Sequence, residues 1–386
     1  MIPYGKQDIT QADIDAVVAV LKSDCLTQGP VMTRFEQAVA ARTGADYGVA
    51  ANSATSALHL ACRALGVGNG SRVWTSAITF VASANCARYC GADVDFVDID
   101  PNTYNMSPGA LEIKLAEAES TGKLPHVLIP VHMCGQSCDM AAIHALSRKY
   151  GFSIIEDASH AIGGAYQGRP VGSCFYSDIT VFSFHPVKII TTGEGGMAMT
   201  NDPALARKME LLRSHGITRD PAEMTHDPDG PWYYQQIDLG YNYRMTDIQA
   251  ALGISQLERL DAFVSKRRDL ARRYDQLLDD LAVITPKVIQ DASSSWHLYI
   301  IRFQLEAIDR SRKEIFDFLR QKAIGVNVHY IPVPAQPYYN SMGFGIDRYP
   351  ESEKYYQEAV SLPLFPAMRN ADQDKVICSI KEAICQ

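Results

Sequence analysis

No run of apolar residues in this sequence is long enough to span a bilayer. The first ten residues, MIPYGKQDIT, carry no basic segment followed by an apolar core. Neither a membrane anchor nor a secretory signal is therefore expected, and the default compartment is the cytoplasm. Lys/Arg-rich stretches are missing too, and 36 basic against 44 acidic residues leave a formal charge of −8. That balance argues against a nucleic-acid-binding protein. No GxGxxG follows the first strand-like run, which removes a dinucleotide-binding reading. The nine cysteines form no CxxC. Cys134 and Cys138 lie close to His132, but no second pair follows at the distance a zinc site needs, so no metal is expected there. There is no internal repeat, low-complexity tract or disordered linker.

What is present is an ordinary globular composition, 47% hydrophobic and 21% charged over 386 residues. That is enough chain for a large core and two domains. The most informative stretch is 180–196, TVFSFHPVKIITTGEGG. It opens as a short apolar, β-branched run that reads as a buried strand. One lysine, Lys188, then sits between Val187 and the pair Ile189–Ile190, and the stretch closes in Gly193-Glu194-Gly195-Gly196. A lysine that merely follows a strand is usually a surface residue. A lysine in apolar company loses hydration, and a desolvated amine is a better nucleophile and imine former.

Upstream, 47–51 reads as a strand running through Asn52-Ser53-Ala54-Thr55-Ser56 into a helix that ends near Gly66. Small and hydroxyl residues at such a junction leave free N–H and O–H donors at the positive end of the helix, an anion site. Plain N-capping accounts for the same residues. Strand and helix patterns continue to alternate: strand 73–74, helix 77–90, strand 94–97, helix 103–119, strand 126–133, helix 139–150 and strand 152–156, followed by Asp157. This predicts an α/β fold with a largely parallel sheet covered on both faces. Ligands in such sheets bind beyond the carboxyl ends of the strands. Asp157, Lys188 and 52–56 each follow a strand end, so a carboxylate, an amine and an anion cradle are expected along one edge. Pyridoxal phosphate needs those three groups: a cradle for its phosphate, a carboxylate for its ring nitrogen and an amine for its aldehyde. Phe80, just past a strand, is either core or an aromatic over a planar ligand. Farther on, 238–278 reads as a turn followed by one long amphipathic helix, with Ile248, Ala251, Leu252, Ile254 and Leu257 as its buried stripe. The remainder reads as a smaller α+β domain.

With these residues placed, EDASHAIGG (156–164), SFHPVKIITTGEGG (183–196), GYNYRMTDIQAALGISQLE (240–258) and VHYIPV (328–333) together resemble the DegT/DnrJ/EryC1/StrS sugar aminotransferases. The resemblance runs in order over nearly the whole chain. It implies a fold-type I α/β enzyme that uses pyridoxal 5′-phosphate. The expected division is a large domain over 1–250, with a mostly parallel sheet of the seven-stranded type, and a smaller C-terminal α+β domain over 251–386. It implies that Lys188 carries the cofactor, that Asp157 partners the ring nitrogen and that His160 lies beside the ring. Phe80 would stack on the ring, while Ala54, Thr55 and Ser183 would hold the phosphate. Asn242 would reach the phosphate of a neighbouring subunit, which implies a homodimer with shared sites. Tyr243, Arg244, His329, Tyr330 and Glu194 would line the substrate side. Pro334 stands where the family often has a histidine, and some members with histidine in place of the lysine are dehydratases. Within the family, the run 229–261 looks most like the transaminases of pseudaminic acid biosynthesis. That implies L-glutamate as donor and a UDP-linked 4-ketosugar as acceptor. A pyridoxal-dependent dehydratase or lyase and a non-enzymatic sensor are the competing readings.

Overall fold

The computed structural model describes residues 1–384, so Cys385 lies outside the described residues. Two helices open the chain, α1 (Gln11–Leu21) and α2 (Pro30–Thr43). The expected alternation then follows: β1 (Tyr47–Ala51), α3 (Ala54–Ala64), β2 (Arg72–Ser76), α4 (Ala82–Tyr89), β3 (Asp93–Val97), α5 (Pro108–Ser120), β4 (Val127–Ile129), α6 (Met140–Tyr150) and β5 (Ser153–Asp157). β6 (Ile179–Ser183), β7 (Gly196–Thr200) and α7 (Pro203–Arg213) complete this part. The strands form one seven-stranded sheet in the order β1-β7-β6-β5-β4-β2-β3. Its pairings are parallel, except that β7 runs antiparallel to both neighbours.

Both faces are covered, as a mainly parallel sheet requires. Every residue of β6 and β7 is buried. Because successive side chains point to opposite faces, Val181 joins the core under α3, α4 and α7, while its neighbour Phe182 joins the one under α2. The sheet therefore separates two cores, and its strand ends form an edge between them.

Two sequence expectations are corrected. The helix expected over 77–90 begins only at Ala82, and 77–81 is an ordered turn beyond β2 that leaves Phe80 57% exposed. The single helix expected within 238–278 is two, α8 (Asp247–Glu258) and α9 (Leu260–Leu278), separated at Arg259. Arg259 turns its guanidinium to Asp8 and Asp13 instead of continuing the helical face. The buried face of α8 includes Ala250, Ala251, Gly253, Ser255 and Gln256, while Ile248, Ile254 and Leu257 are only half-buried. Small residues serve here because α8 lies very close to α2: a Cβ on Gly253 would stand 2.6 Å from the Phe35 ring.

Beyond α9, the antiparallel strands β8 (Val283–Ile284), β9 (Tyr299–Phe303) and β10 (Ala359–Leu362) form a second sheet. It is packed with α10 (Arg312–Gln321) and α11 (Asn370–Ile384) around its own core, including Tyr274, Ile301, Ile315 and Ile380. Position 250 falls inside α8, which packs against α1 and α2. Among the described residues, no helix is long and apolar enough to cross a membrane.

Gly196 opens β7 where α3 begins, and a Cβ there would lie 2.5 Å from the Ala54 backbone nitrogen. Gly196→Val is expected to destabilise the cofactor-free protein by about 1–3 kcal/mol through overpacking, read from urea unfolding. An unchanged midpoint would show that α3 backs away without cost.

Candidate active site

At the carboxyl ends of β1, β2, β5 and β6 lies a cavity of about 620 Å³. Strand topology alone explains its location, since parallel strands deliver their following loops to one edge. β1 delivers the start of α3. Ser53 caps this helix by accepting a hydrogen bond from the Ser56 N–H (3.1 Å), and the Ser56 hydroxyl donates to Asn52 Oδ1 (2.6 Å). The N–H groups of Ala54 and Thr55 have no acceptor among the described residues. Capping and anion binding are therefore both served: Ser53 caps, and the next two amides remain open at a positive helix end.

β5 delivers Asp157, 5% exposed. The Ser83 hydroxyl donates to its Oδ2 (2.6 Å), and the Ser159 N–H donates to Oδ1 (3.1 Å). Thr79 Oγ1 is in turn 2.7 Å from Ser83 Oγ. Hydrogen bonds of this kind fix the direction of the carboxylate. β6 ends in Ser183 and delivers Lys188, half-buried on the cavity wall. Desolvation pushes the Lys188 amine down to about 8, against the opposing pull of the Asp157 charge. The amine is thus enclosed by protein while facing the cavity, the condition under which it is uncharged often enough to be a nucleophile near neutral pH.

Three imidazoles surround this amine. His160, His297 and His329 all line the cavity, and burial holds each below its ordinary value, with the Lys188 charge adding to the effect. His160 Nε2 is 3.1 Å from Tyr330 Oη, and its buried Nδ1 has no partner among the described residues. His329 Nδ1 is 2.7 Å from Ser361 Oγ. Phe80 lies 6.0 Å from Tyr330, centroid to centroid. Glu194 also lines the cavity, 4.0 Å from His185 Nε2.

The cavity therefore brings together Lys188, Asp157, His160, Phe80, Ala54, Thr55, Ser183, His329, Tyr330 and Glu194. It does not gather Asn242, Tyr243 or Arg244 from the same chain. The Tyr243 hydroxyl is 3.2 Å from His59 Nδ1 and its ring stacks on Tyr241. Its contribution is through the backbone, where the carbonyl accepts from the Asn52 N–H (2.8 Å) and braces the cradle. Asn242 is exposed. Sequence reasoning missed Ser83, His297 and Tyr4. Ser83 had a signal, three residues after Phe80 at the start of a helix. The other two come from distant segments. His132 has both ring nitrogens engaged, one 2.6 Å from Glu156 Oε2 and one accepting the Cys138 N–H (3.1 Å).

A family model described as the DegT/DnrJ/EryC1/StrS aminotransferase family matches residues 7–381. The chain belongs to that family. Its members are pyridoxal-phosphate-dependent aminotransferases acting on sugars. This aminotransferase is 39% identical to the spore coat polysaccharide biosynthesis protein SpsC of Bacillus subtilis, over 99% of this chain and 97% of the relative. It is also 39% identical to the UDP-4-amino-4,6-dideoxy-N-acetyl-beta-L-altrosamine transaminase of Campylobacter jejuni, over 96% of this chain and 94% of the relative. Among solved structures, Helicobacter pylori PseC, an aminotransferase involved in the biosynthesis of pseudoaminic acid, superposes with a TM-score of 0.90 at 29% identity, covering 99% of each chain. The residues present fit the family's cofactor. Two free amides stand at a helix start, a buried carboxylate is held by donors, and an amine is held near neutrality in one cavity.

A lysine lowered from 10.5 to about 8 makes stability depend on pH. Between those values the unfolded chain holds a proton that the folded chain lacks, so this group's contribution to stability rises with pH. Below about 8 the folded protein bears the full cost of a buried ammonium. Cofactor-free Lys188→Met is therefore expected to melt above wild type at pH 7, with the gap narrowing as pH rises from 8 to 10. A gap independent of pH would overturn this reading of Lys188.

Proposed function

We propose that this sugar aminotransferase moves the amino group of L-glutamate to a nucleotide-linked 4-keto-6-deoxy sugar. The acceptor in this reading is UDP-2-acetamido-2,6-dideoxy-β-L-arabino-hexos-4-ulose, and the product is the corresponding UDP-4-amino sugar. The observation that carries the chemistry is the meeting of Lys188, Asp157 and the open start of α3 in one cavity. The acceptor rests on the likeness to the altrosamine transaminase and to PseC. The equal identity to a spore coat polysaccharide protein favours, as a second reading, another UDP-, dTDP- or GDP-linked ketosugar.

When bound, pyridoxal phosphate supplies an electron sink and a temporary carrier for the amino group. Lys188 would hold it covalently, and its Nζ would be the base that takes a proton from the donor Cα. The same amine would return a proton to C4 of the sugar in the second half-reaction, one residue serving as both tether and acid/base. Asp157 would keep the proton on the ring nitrogen and so favour the electron sink electrostatically. The Ala54 and Thr55 amides, with the Thr55 and Ser183 hydroxyls, hold the phosphate. Phe80 covers the ring, and His160 stands beside it as a neutral imidazole. His329, Tyr330 and Glu194 face the sugar. Asn242 completes the phosphate site of a neighbouring subunit in a homodimer, with Arg244 and Tyr243 in the same interface segment. The intact lysine speaks against the dehydratase and sensor readings.

The purified protein with cofactor is expected to absorb near ~420 nm, and L-glutamate should shift that band toward ~330 nm. A ketosugar of the proposed class should restore it. A band that glutamate leaves unmoved would exclude this donor, and restoration by dTDP- but not UDP-linked ketosugars would exclude the UDP acceptor. Lys188→Ala should lose turnover while remaining folded. Asp157→Ala should bind cofactor more weakly and react at least ~10²-fold more slowly. Wild-type rates in either variant would remove the role assigned to that residue.

A further inference from the structure

We propose that Tyr4 is a sugar-recognition residue, its phenol hydroxyl bonding a polar group of the ketosugar while its ring packs on the sugar's apolar face. The proposal rests on the nucleotide-sugar reading above and adds a residue from the opposite end of the chain. Tyr4 lines the cavity and is half-buried. Its hydroxyl has no partner among the described residues, whereas those of Tyr330, Tyr339 and Tyr355 are bonded within the chain. Burial raises the Tyr4 hydroxyl above its ordinary value, so at neutral pH it remains a donor.

The chain positions this residue with several backbone contacts. The Ile2 N–H donates to the Ala323 carbonyl (2.9 Å), the Gly325 N–H donates to the Ile2 carbonyl (2.7 Å), and the Leu364 N–H donates to the Tyr4 carbonyl (3.0 Å). Position 325 admits the strap because it lacks a side chain: a Cβ there would stand 2.7 Å from the Ile2 carbonyl oxygen and 3.0 Å from the Tyr4 nitrogen. A terminal segment is ordinarily loose unless tied down, and this one is tied at Ile2 and at Tyr4 itself.

Ring contacts show which part of the cavity Tyr4 faces. Phe80 neighbours Tyr330 at 6.0 Å, Tyr330 neighbours His329 at 5.0 Å, and His329 neighbours Tyr4 at 5.4 Å. Tyr4 ends a row of rings that starts at the residue assigned to cover the cofactor. Its place is thus toward the substrate. An aromatic ring with a free hydroxyl suits a 6-deoxy sugar, which offers an apolar edge beside hydrogen-bonding groups.

The test compares the two half-reactions by single-turnover absorbance in wild type, Tyr4→Phe and Tyr4→Ala. The probes are L-glutamate, the UDP-linked ketosugar named above and a dTDP-linked 4-keto-6-deoxy sugar. Tyr4→Phe keeps the packing and loses one neutral hydrogen bond, so the half-saturating ketosugar concentration should rise about 3–10-fold. Tyr4→Ala should raise it further. The glutamate half-reaction should stay within about 2-fold of wild type in both variants. Unchanged ketosugar dependence, or equal weakening of both half-reactions, would overturn the role of Tyr4. If wild type passes nitrogen to neither ketosugar, the nucleotide-sugar reading itself fails, a result distinct from the first two.

Discussion

Removing one amine from water is the constraint on which the site depends. Lys188 is lowered to about 8 because protein atoms replace its hydration, and Asp157 only partly offsets that loss. Such a group persists only if its surroundings do not add further positive charge. His160, His297 and His329 meet that requirement, since burial holds all three neutral and the Lys188 charge reinforces it. The relation is mutual: protonating any of them would disfavour the others. The resulting cavity sets one amine of adjustable charge beside a carboxylate whose direction is held by Ser83 and Ser159, with Glu194 at its more exposed side. The α3 start adds a positive partial charge without a proton to lose.

The chemistry was legible in sequence because each of its three parts is local. A lysine in apolar company, a carboxylate after a strand and hydroxyls at a strand-to-helix junction can each be read within about ten residues, and strand alternation placed them on one edge. The parallel sheet was legible for the same reason. What stayed hidden depends on contacts across long chain separations. His297 enters from the strand region of the smaller sheet, and Tyr4 is brought in by pairing with 323–325. The break between α8 and α9 was obscured because the helical pattern runs through Arg259 unbroken. At that break Arg259 pairs with Asp8 and Asp13, about 250 residues away in sequence. Tyr243 lies in a motif legible in sequence, and what only the structure adds is the stacking of its ring on Tyr241.

The antiparallel strand β7 explains how amine and cradle keep their spacing. β6 and β7 are joined by the segment carrying Lys188, and the Phe184 N–H donates to the Gly195 carbonyl (2.9 Å) while the Thr192 N–H donates to the Phe184 carbonyl (3.0 Å). Lys188 therefore stands on a hydrogen-bonded loop closed at its base. The next residue, Gly196, touches the first residue of α3. The loop that carries Lys188 and the anion cradle are thus linked through one backbone contact. A group held at both points has its orientation fixed by the fold, and fixed orientation is worth several powers of ten in rate. A seven-stranded sheet with one reversed strand gives this linkage directly.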